Sequence, residues 1–302
     1  TTATVVPRMS VAALPRTVAF RGKKAVQLPL AERMTELTVL SMGWGKQTVA
    51  MAAMMAFGDL PKADFLVFAD TGHELQSTYT YIRDWTPLFE KHGLTLVTVH
   101  ADNTEVVRAD WGRGSIMIPA FSRDSVMDSF GQIRRQCTHD WKITPIRRFI
   151  AAELKRRELK KSKEIVESWQ GISWDEALRM RKSDVLYIKN RYPLVEQRLS
   201  RSDCVRYLAT HGLPEPPESA CTFCPFTSLE TWRGRKKENT ADWEEAINVD
   251  DAIRHLRPKH RLFVHPYRRV LAQAVEIPED HGATQPTLQG FDELCDGGYC
   301  GV

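Results

Sequence analysis

The residues with the clearest chemical potential are six cysteines: Cys137, Cys204, Cys221, Cys224, Cys295 and Cys300. None precedes Cys137, and six are too few for a disulfide scaffold in a chain of 302 residues. This uneven placement points to metal or redox chemistry rather than structural bridges. Cys221-Thr222-Phe223-Cys224 is a CxxC knuckle. Two thiolates at that spacing can ligate one metal ion or cluster, and a redox dithiol is the competing use. A thioredoxin-like dithiol belongs near a βαβ pattern. This pair instead follows Pro214, Pro216 and Pro217. Cys295 and Cys300 flank Asp296-Gly297-Gly298-Tyr299, where glycines and a terminal position favour mobility.

A second set of chemical residues lies in the first half. Ser41-Met42-Gly43-Trp44-Gly45-Lys46-Gln47-Thr48 joins an apolar β-rich run to a run of helix formers. Glycines there let backbone approach an anion, and a helix N-terminus offers unpaired N–H groups and a positive dipole end. The spacing is neither that of the Walker loop nor that of the dinucleotide fingerprint. A structural tight turn is the alternative. Asp70-Thr71-Gly72 and Gly171-Ile172-Ser173 follow two further β-rich runs.

The elements that must position these residues alternate in type. Strands are predicted at Leu37–Ser41, Asp64–Ala69, Leu94–Val99 and Glu164–Trp169. Helices are predicted at Val49–Phe57, Thr78–His92, Ile143–Lys160, Trp174–Arg181 and Arg201–His211. Strands alternating with helices imply right-handed βαβ units, hence an α/β fold with a parallel, Rossmann-like sheet flanked by helices. Ligands on such sheets sit at the carboxyl ends of the strands, so the three glycine-bearing segments should share one rim. The division expected is an arm over 1–36, an α/β domain over 37–182, which the resemblance described below implies is nucleotide-binding, and a helical, cysteine-bearing region over 183–302 that folds back over the rim.

Composition bounds the classes. With 42% hydrophobic and 26% charged residues, disorder, collagen and a coiled-coil rod are excluded. No apolar run approaches the ~18–20 residues that span a bilayer, so no membrane partner and a cytoplasmic location are expected. The first 31 residues carry five cations and no acid. A solvated arm is expected there rather than a transit peptide, because Pro7, Pro15 and Pro29 interrupt any amphipathic helix.

Several segments resemble a known family. Asp70-Thr71-Gly72, followed by Thr78-Tyr79, resembles the D-T-G-x(5)-T-Y stretch of the phosphoadenylyl-sulfate (PAPS) reductase family, within the adenine nucleotide α-hydrolase, or PP-loop, superfamily. The Ser41–Thr48 loop is similar to that superfamily's first loop, with Met42 and Trp44 in place of small residues and Gln47-Thr48 at its end. Gly171-Ile172-Ser173-Trp174-Asp175-Glu176 is similar to the family's G-I-R-x-x-E, with Ser173 where an arginine stands. Cys137-Thr138-His139-Asp140-Trp141-Lys142 and Pro145 resemble the C-C-x-x-R-K-x-x-P-L segment of the iron–sulfur assimilatory reductases, with Thr138 replacing the second cysteine. The second half, from Tyr192-Pro193-Leu194 through Cys221-x-x-Cys224-Pro225-Phe226, looks like PAPS-reductase-like proteins of bacteria and phages, a group with a relative in DNA phosphorothioation.

The resemblance implies ATP with Mg2+ at Ser41, Gly43, Gly45, Gln47 and Thr48, with Asp70, Thr71, Gly72 and Gly171 completing the nucleotide site. Lys46 or Arg179 would stabilise phosphate charge, with Arg179 also placed to pair with Glu176. It implies a [4Fe–4S] cluster on Cys137, Cys204, Cys221 and Cys224. Zinc on the same set is the alternative, with His139 or His211 able to substitute, and unligated core cysteines are the third reading. Cys295 or Cys300 would relay sulfur or attack a sulfonucleotide.

Three functions follow as expectations. The first is an ATP-dependent sulfur transferase that adenylates its acceptor with pyrophosphate release. The second is a sulfonucleotide reductase that releases sulfite. The third is a non-catalytic nucleotide sensor or defence component with a structural metal. The partners implied are an adenine nucleotide, a cysteine desulfurase or thioredoxin, and DNA or tRNA. Basic stretches at 147–163, 233–237 and 254–269 suit phosphates, although solvated faces explain charge runs equally.

Overall fold

The computed structural model describes residues 35–108, 115–124, 127, 129–133, 136–238 and 240–277. Its first unit is strand β1 (Leu37–Ser41), helix α1 (Lys46–Phe57), strand β2 (Phe65–Asp70), helix α2 (Gln76–Lys91) and strand β3 (Leu96–His100). The chain then forms strands β4 (Val107–Arg108), β5 (Ser115–Ile116), β6 (Ala120–Asp124) and β7 (Phe130–Ile133). A π-helical turn (Thr138–Ile143) runs directly into helix α3 (Thr144–Arg156). Strand β8 (Val166–Trp169) follows, then a 3-10 segment (Trp174–Arg179) and strand β9 (Ile188–Arg191). The remainder comprises helices α4 (Pro193–Glu196), α5 (Arg201–Thr210), α6 (Leu229–Glu238) and α7 (Thr240–Ile253), strand β10 (His260–Phe263) and helix α8 (Leu271–Ala274).

The main sheet has five strands in the order β3-β2-β1-β8-β9, and every pair is parallel. The fold is α/β and Rossmann-like. The chain winds outward from β1 to β3, then crosses back to place β8 on the other side of β1. Right-handed crossovers require the helices to change face at that reversal, and they do. Leu40, Leu66 and Phe68 face α1 and α2, whereas Leu37, Val39, Val67 and Ala69 face Ile146, Ile150 and Leu154 of α3. The alternation along β1 and β2 is the period-2 pattern of a strand buried on both sides.

Helix α1 is apolar all round, and its residues from Gln47 to Met55 are all buried. Such a helix needs cover on every side. The sheet and α2 supply part, and Cys204, Tyr207, Leu208 and Leu213, in and just after α5, supply the rest. The sheet also continues past Lys182 through β9, and a second, antiparallel sheet joins β10, β6 and β7. Neither carries a readable period, because Ile188-Lys189-Asn190-Arg191 is short and polar. The expected helix from Trp174 is a 3-10 segment kinked at Glu176. Among the described residues, no helix is long and apolar enough to cross a membrane.

Candidate active site: a glycine loop and a thiol cleft on one rim

The carboxyl ends of β1, β2 and β8 deliver the three glycine-bearing segments to one edge of the sheet. At the first, the chain leaves β1 and enters α1 with Gly45 as the N-cap, and Gly45 accepts from Val49 N–H at 3.0 Å. The first N–H groups of α1 therefore point out of the helix without intrahelical partners, and no acidic side chain occupies that turn. Met42 and Trp44, out of keeping with a small-residue loop, are buried plugs. Trp44 takes a left-handed backbone (φ +57°) and packs its indole between Tyr81 and Phe89, at centroid distances of 6.4 and 6.2 Å.

The cations assigned to phosphate charge are both engaged. Lys46 pairs with Glu215. Arg179 pairs with Glu176 at 2.9 Å in a mostly buried setting, and Gln47 Nε2 donates to the same Glu176 carboxylate at 3.2 Å. Burial pushes the Glu176 pKa up, against the pull of Arg179. This chain ties the start of α1 to the segment after β8.

Gly171 adjoins the same turn. A Cβ at Gly171 would lie 2.4 Å from Thr48 Cγ2 and 3.3 Å from the Thr48 backbone nitrogen. Glycine there keeps one of the first N–H groups of α1 uncovered. Gly171→Ala should lower stability by about 1–3 kcal/mol through overpacking, measured by denaturant titration. Thr48→Ser, which deletes the clashing methyl, should restore most of the loss in the double variant; no recovery would place the strain elsewhere.

After β2, Asp70 Oδ1 accepts from Gly72 N–H (2.8 Å) and Tyr79 O–H (2.7 Å). Gly72 turns at φ +75°, which favours glycine. The D-T-G-x(5)-T-Y spacing is thus a turn closed by its own tyrosine, and burial followed by the Asp70 bond raises the Tyr79 pKa. Thr78 Oγ1 donates to Glu218 O at 3.4 Å.

The knuckle docks on this turn. Thr222 N–H donates to His73 O (2.8 Å), Glu74 bridges Cys221 as an isolated antiparallel β-bridge, and Thr71 Oγ1 lies 3.7 Å from Cys221 Sγ. Three residues earlier than Thr222, Ser219 Oγ donates to Gly43 O in the glycine loop. Cys137, Cys221 and Cys224 line one cleft with Trp141, Lys142 and Phe223. Lys142 Nζ sits 3.2 Å from Glu74 Oε1, and their side chains are only 7% and 1% exposed. Arg235, also buried, donates to Thr222 O at 2.9 Å and stacks over Trp232. Desolvation lowers the Arg235 pKa against the opposing fields of Glu218, Cys224, Asp242 and Cys221.

Cys204 lies elsewhere. It is fully buried in the core between α1 and α5, and burial pushes its thiol up to about 12. The three cleft thiols are soft donors suited to iron–sulfur clusters or zinc. Among the described residues, no group of three or more His, Cys, Asp or Glu side chains is already gathered closely enough to hold a metal ion. Cys295 and Cys300 lie outside the described residues.

No family model and no curated protein matches the chain. Among solved structures, it is similar to phosphoadenylyl-sulfate (PAPS) reductase from Candida auris, crystallised as a phosphate complex. Sequence identity is 15%, the match covers 59% of this chain and 74% of that one, and the TM-score is 0.38.

Sequence reading assigned no role to His73 or Glu74, took Lys142 only as a motif match, and counted Arg235 only within a basic stretch, whereas it is buried. The pairings that define His73, Glu74 and Lys142 span 68 residues or more (Glu74–Lys142, His73–Glu245), beyond the reach of spacing rules. His73 Nδ1 meets Glu245 Oε1 at 2.7 Å and Nε2 meets Thr104 O at 3.0 Å, so both ring nitrogens face acceptors. Burial lowers the His73 pKa, but these bonds outweigh it and the net shift is upward. A raised histidine pKa stabilises fully below about 6.5 and is lost as pH climbs through the folded value. The stability difference between wild type and His73→Gln should therefore shrink from pH 6 to 9 in a thermal-melt series. A constant difference would show that the charged form is not favoured.

Proposed function

We propose that the protein is a nucleotide-dependent sulfur-transfer enzyme of the PAPS reductase-like, PP-loop group. The observation that carries this reading is the docking of the Cys221–Cys224 knuckle on the turn after β2, one hydrogen bond from the glycine loop. A thiol cleft and a phosphate-type loop thereby share one rim.

The nucleotide would be ATP. Its phosphates would meet the first N–H groups of α1, with Gly43, Gly45 and Gly171 allowing close approach. An acceptor oxygen would attack the α-phosphorus, forming an adenylated acceptor and releasing pyrophosphate. Sulfide sulfur would then displace AMP at the activated centre, a base carbon in tRNA or the backbone phosphorus in DNA. Cys137, Cys221 and Cys224 would hold a [4Fe–4S] cluster, with a fourth ligand from the Cys295–Cys300 tail or from outside the chain. When bound, such a cluster supplies a site that retains inorganic sulfur. Lys142, fixed by Glu74, would set positive charge beside the thiols, and Trp141 and Phe223 would exclude water. Basic helices and loops would favour a nucleic-acid acceptor, DNA or tRNA.

Anaerobically purified protein should release pyrophosphate from ATP in the presence of a nucleic-acid acceptor and contain iron and sulfide. Absence of pyrophosphate release across both nucleic acids, with iron in place, would overturn the reading. Zinc in a colourless protein would replace the cluster.

One observation favours a second reading. Lys46 and Arg179 are both paired with carboxylates, which leaves the loop poorer in cations than a triphosphate wants. The phosphosulfate group of a sulfonucleotide carries less charge than a triphosphate. Sulfite release from PAPS or adenylyl sulfate with thioredoxin would select this alternative.

A further inference from the structure

Among the described residues, six large apolar side chains stand exposed, and three of them fall within seven positions: Trp174 (50%), Leu178 (89%) and Met180 (38%). Single exposed apolar side chains are ordinary, but three on one short segment beside charge are the signature of a docking surface. The segment is the 3-10 stretch that follows β8, and it starts three residues past Gly171. Arg179 and Gln47 Nε2 both hold its Glu176, so it is fixed to the start of α1. On its other side Trp174 N–H donates to Leu199 O at 2.7 Å, and Asp175 Oδ1 accepts from Arg201 N–H at 2.9 Å. The exposed apolar groups thus stand on backbone that is anchored from two directions.

The surrounding charge selects the partner. From Trp174 to Arg201 there are seven Arg and Lys against four Asp and Glu. All four carboxylates are engaged: Asp175 by Arg201 N–H, Glu176 by Arg179, Asp184 by Arg147 and Glu196 by Arg191. Arg181, Lys182 and Arg198 are exposed. The Arg198 guanidinium lies over the Trp174 ring, 5.7 Å from its centroid, and is carried there on a left-handed backbone (φ +56°) whose N–H donates to Val195 O at 3.0 Å. The Arg181 guanidinium donates to Leu178 O at 2.9 Å and Met180 O at 3.0 Å, which sets its charge beside the apolar groups. An exposed indole with arginine against it and cations alongside is a platform for single-stranded nucleic acid, whose bases have a free face to stack. We propose that Trp174 stacks an unpaired base of the acceptor, flanked by Leu178 and Met180, while Arg181, Lys182 and Arg198 meet the adjoining phosphates. The partner is therefore a single-stranded segment of DNA or RNA and not a closed duplex. The inference rests on the nucleic-acid reading above and deepens it by naming the strand state and the residues that hold it.

Fluorescence anisotropy of the purified full chain with three labelled oligonucleotides of one mixed sequence tests this: single-stranded DNA, single-stranded RNA and blunt duplex DNA. Wild type should bind at least one single strand more tightly than the duplex, and the tighter of the two single strands names the acceptor. Trp174→Ala should weaken that strand roughly tenfold, the worth of one stacked base, and Trp174→Phe should keep most of the affinity. Arg181→Ala and Lys182→Ala should each flatten the slope of log affinity against log salt by about 0.7, the value for one phosphate contact on a single strand. Trp174→Ala should leave that slope unchanged. Wild-type affinity in Trp174→Ala would overturn the inference while the nucleic-acid reading stands. Failure of wild type to bind any of the three would overturn both. A wild-type dimer that Trp174→Ala converts to monomer with nucleic-acid affinity intact would also overturn the inference, assigning the surface to a second copy of this chain. Should Trp174→Ala not fold, photocrosslinking of wild type to the same strand carrying 5-iodouracil decides. A crosslinked peptide containing Trp174 is expected, and crosslinks confined to other segments overturn the proposal.

Discussion

Replacing Glu74 with alanine should destabilise the protein by about 3–5 kcal/mol, the range for removing one partner of a buried ion pair. Lys142 would be left in a cleft with almost no solvent, its ammonium charge stripped of the Glu74 carboxylate. Glu74 also bridges Cys221 through backbone and accepts from Thr71 Oγ1 at 3.4 Å. The damage should therefore spread to the knuckle and reduce metal retention as well as stability. Two further variants separate these effects. Glu74→Leu combined with Lys142→Met removes both charges and should recover much of the stability, because a well-packed apolar pair often equals a buried ionic one. It should not recover activity, since among the described residues no other cation lines that cleft. Urea denaturation of the three proteins reads the first effect, and turnover with iron content reads the second. A Glu74→Ala protein as stable as wild type would show that Lys142 escapes to solvent.

Cysteine substitutions should divide into two classes with opposite signatures. Cys137→Ser, Cys221→Ser and Cys224→Ser should each lose most bound metal and, with it, turnover, while folding close to normally, because these side chains line a cleft rather than fill a core. Cys204→Ala should behave in reverse. It should retain metal and much of the activity, yet lose about 1 kcal/mol of stability, since Cys204 is wholly buried between α1 and α5. Metal analysis beside a denaturation curve distinguishes the classes. Metal loss in Cys204→Ala would restore it to the ligand set and require α5 to shift away from α1.

The contrast between these cysteines shows what spacing carries and what it does not. Cys221 and Cys224 share a cleft because two intervening residues leave little choice. Cys204 stands seventeen positions before Cys221, but α5 runs along α1 and takes its thiol with it. The strands and helices of the first hundred residues were legible because each is an apolar or amphipathic run long enough to stand out from its flanks. β9 was not, since Ile188-Lys189-Asn190-Arg191 is a strand only by virtue of pairing with β8. The rim was legible as three glycine-bearing turns. Its charge balance was not: the carboxylates that occupy Lys46 and Arg179 arrive from Glu215 and Glu176, and no local rule says a cation will be spoken for. Met42 and Trp44 looked out of place in the loop. They are side chains pointing down into the core, compatible with a loop whose backbone alone faces the ligand.

Trp44 has a further consequence. Its indole is wedged against Tyr81 and Phe89 while its backbone sits in a conformation that bulky residues avoid. The loop is therefore moored from beneath, and its shape is set when the core forms rather than when a ligand arrives. Ordering entropy at this segment is spent during folding, so anion capture there should proceed at the pace of diffusion and desolvation, without a slow closing phase.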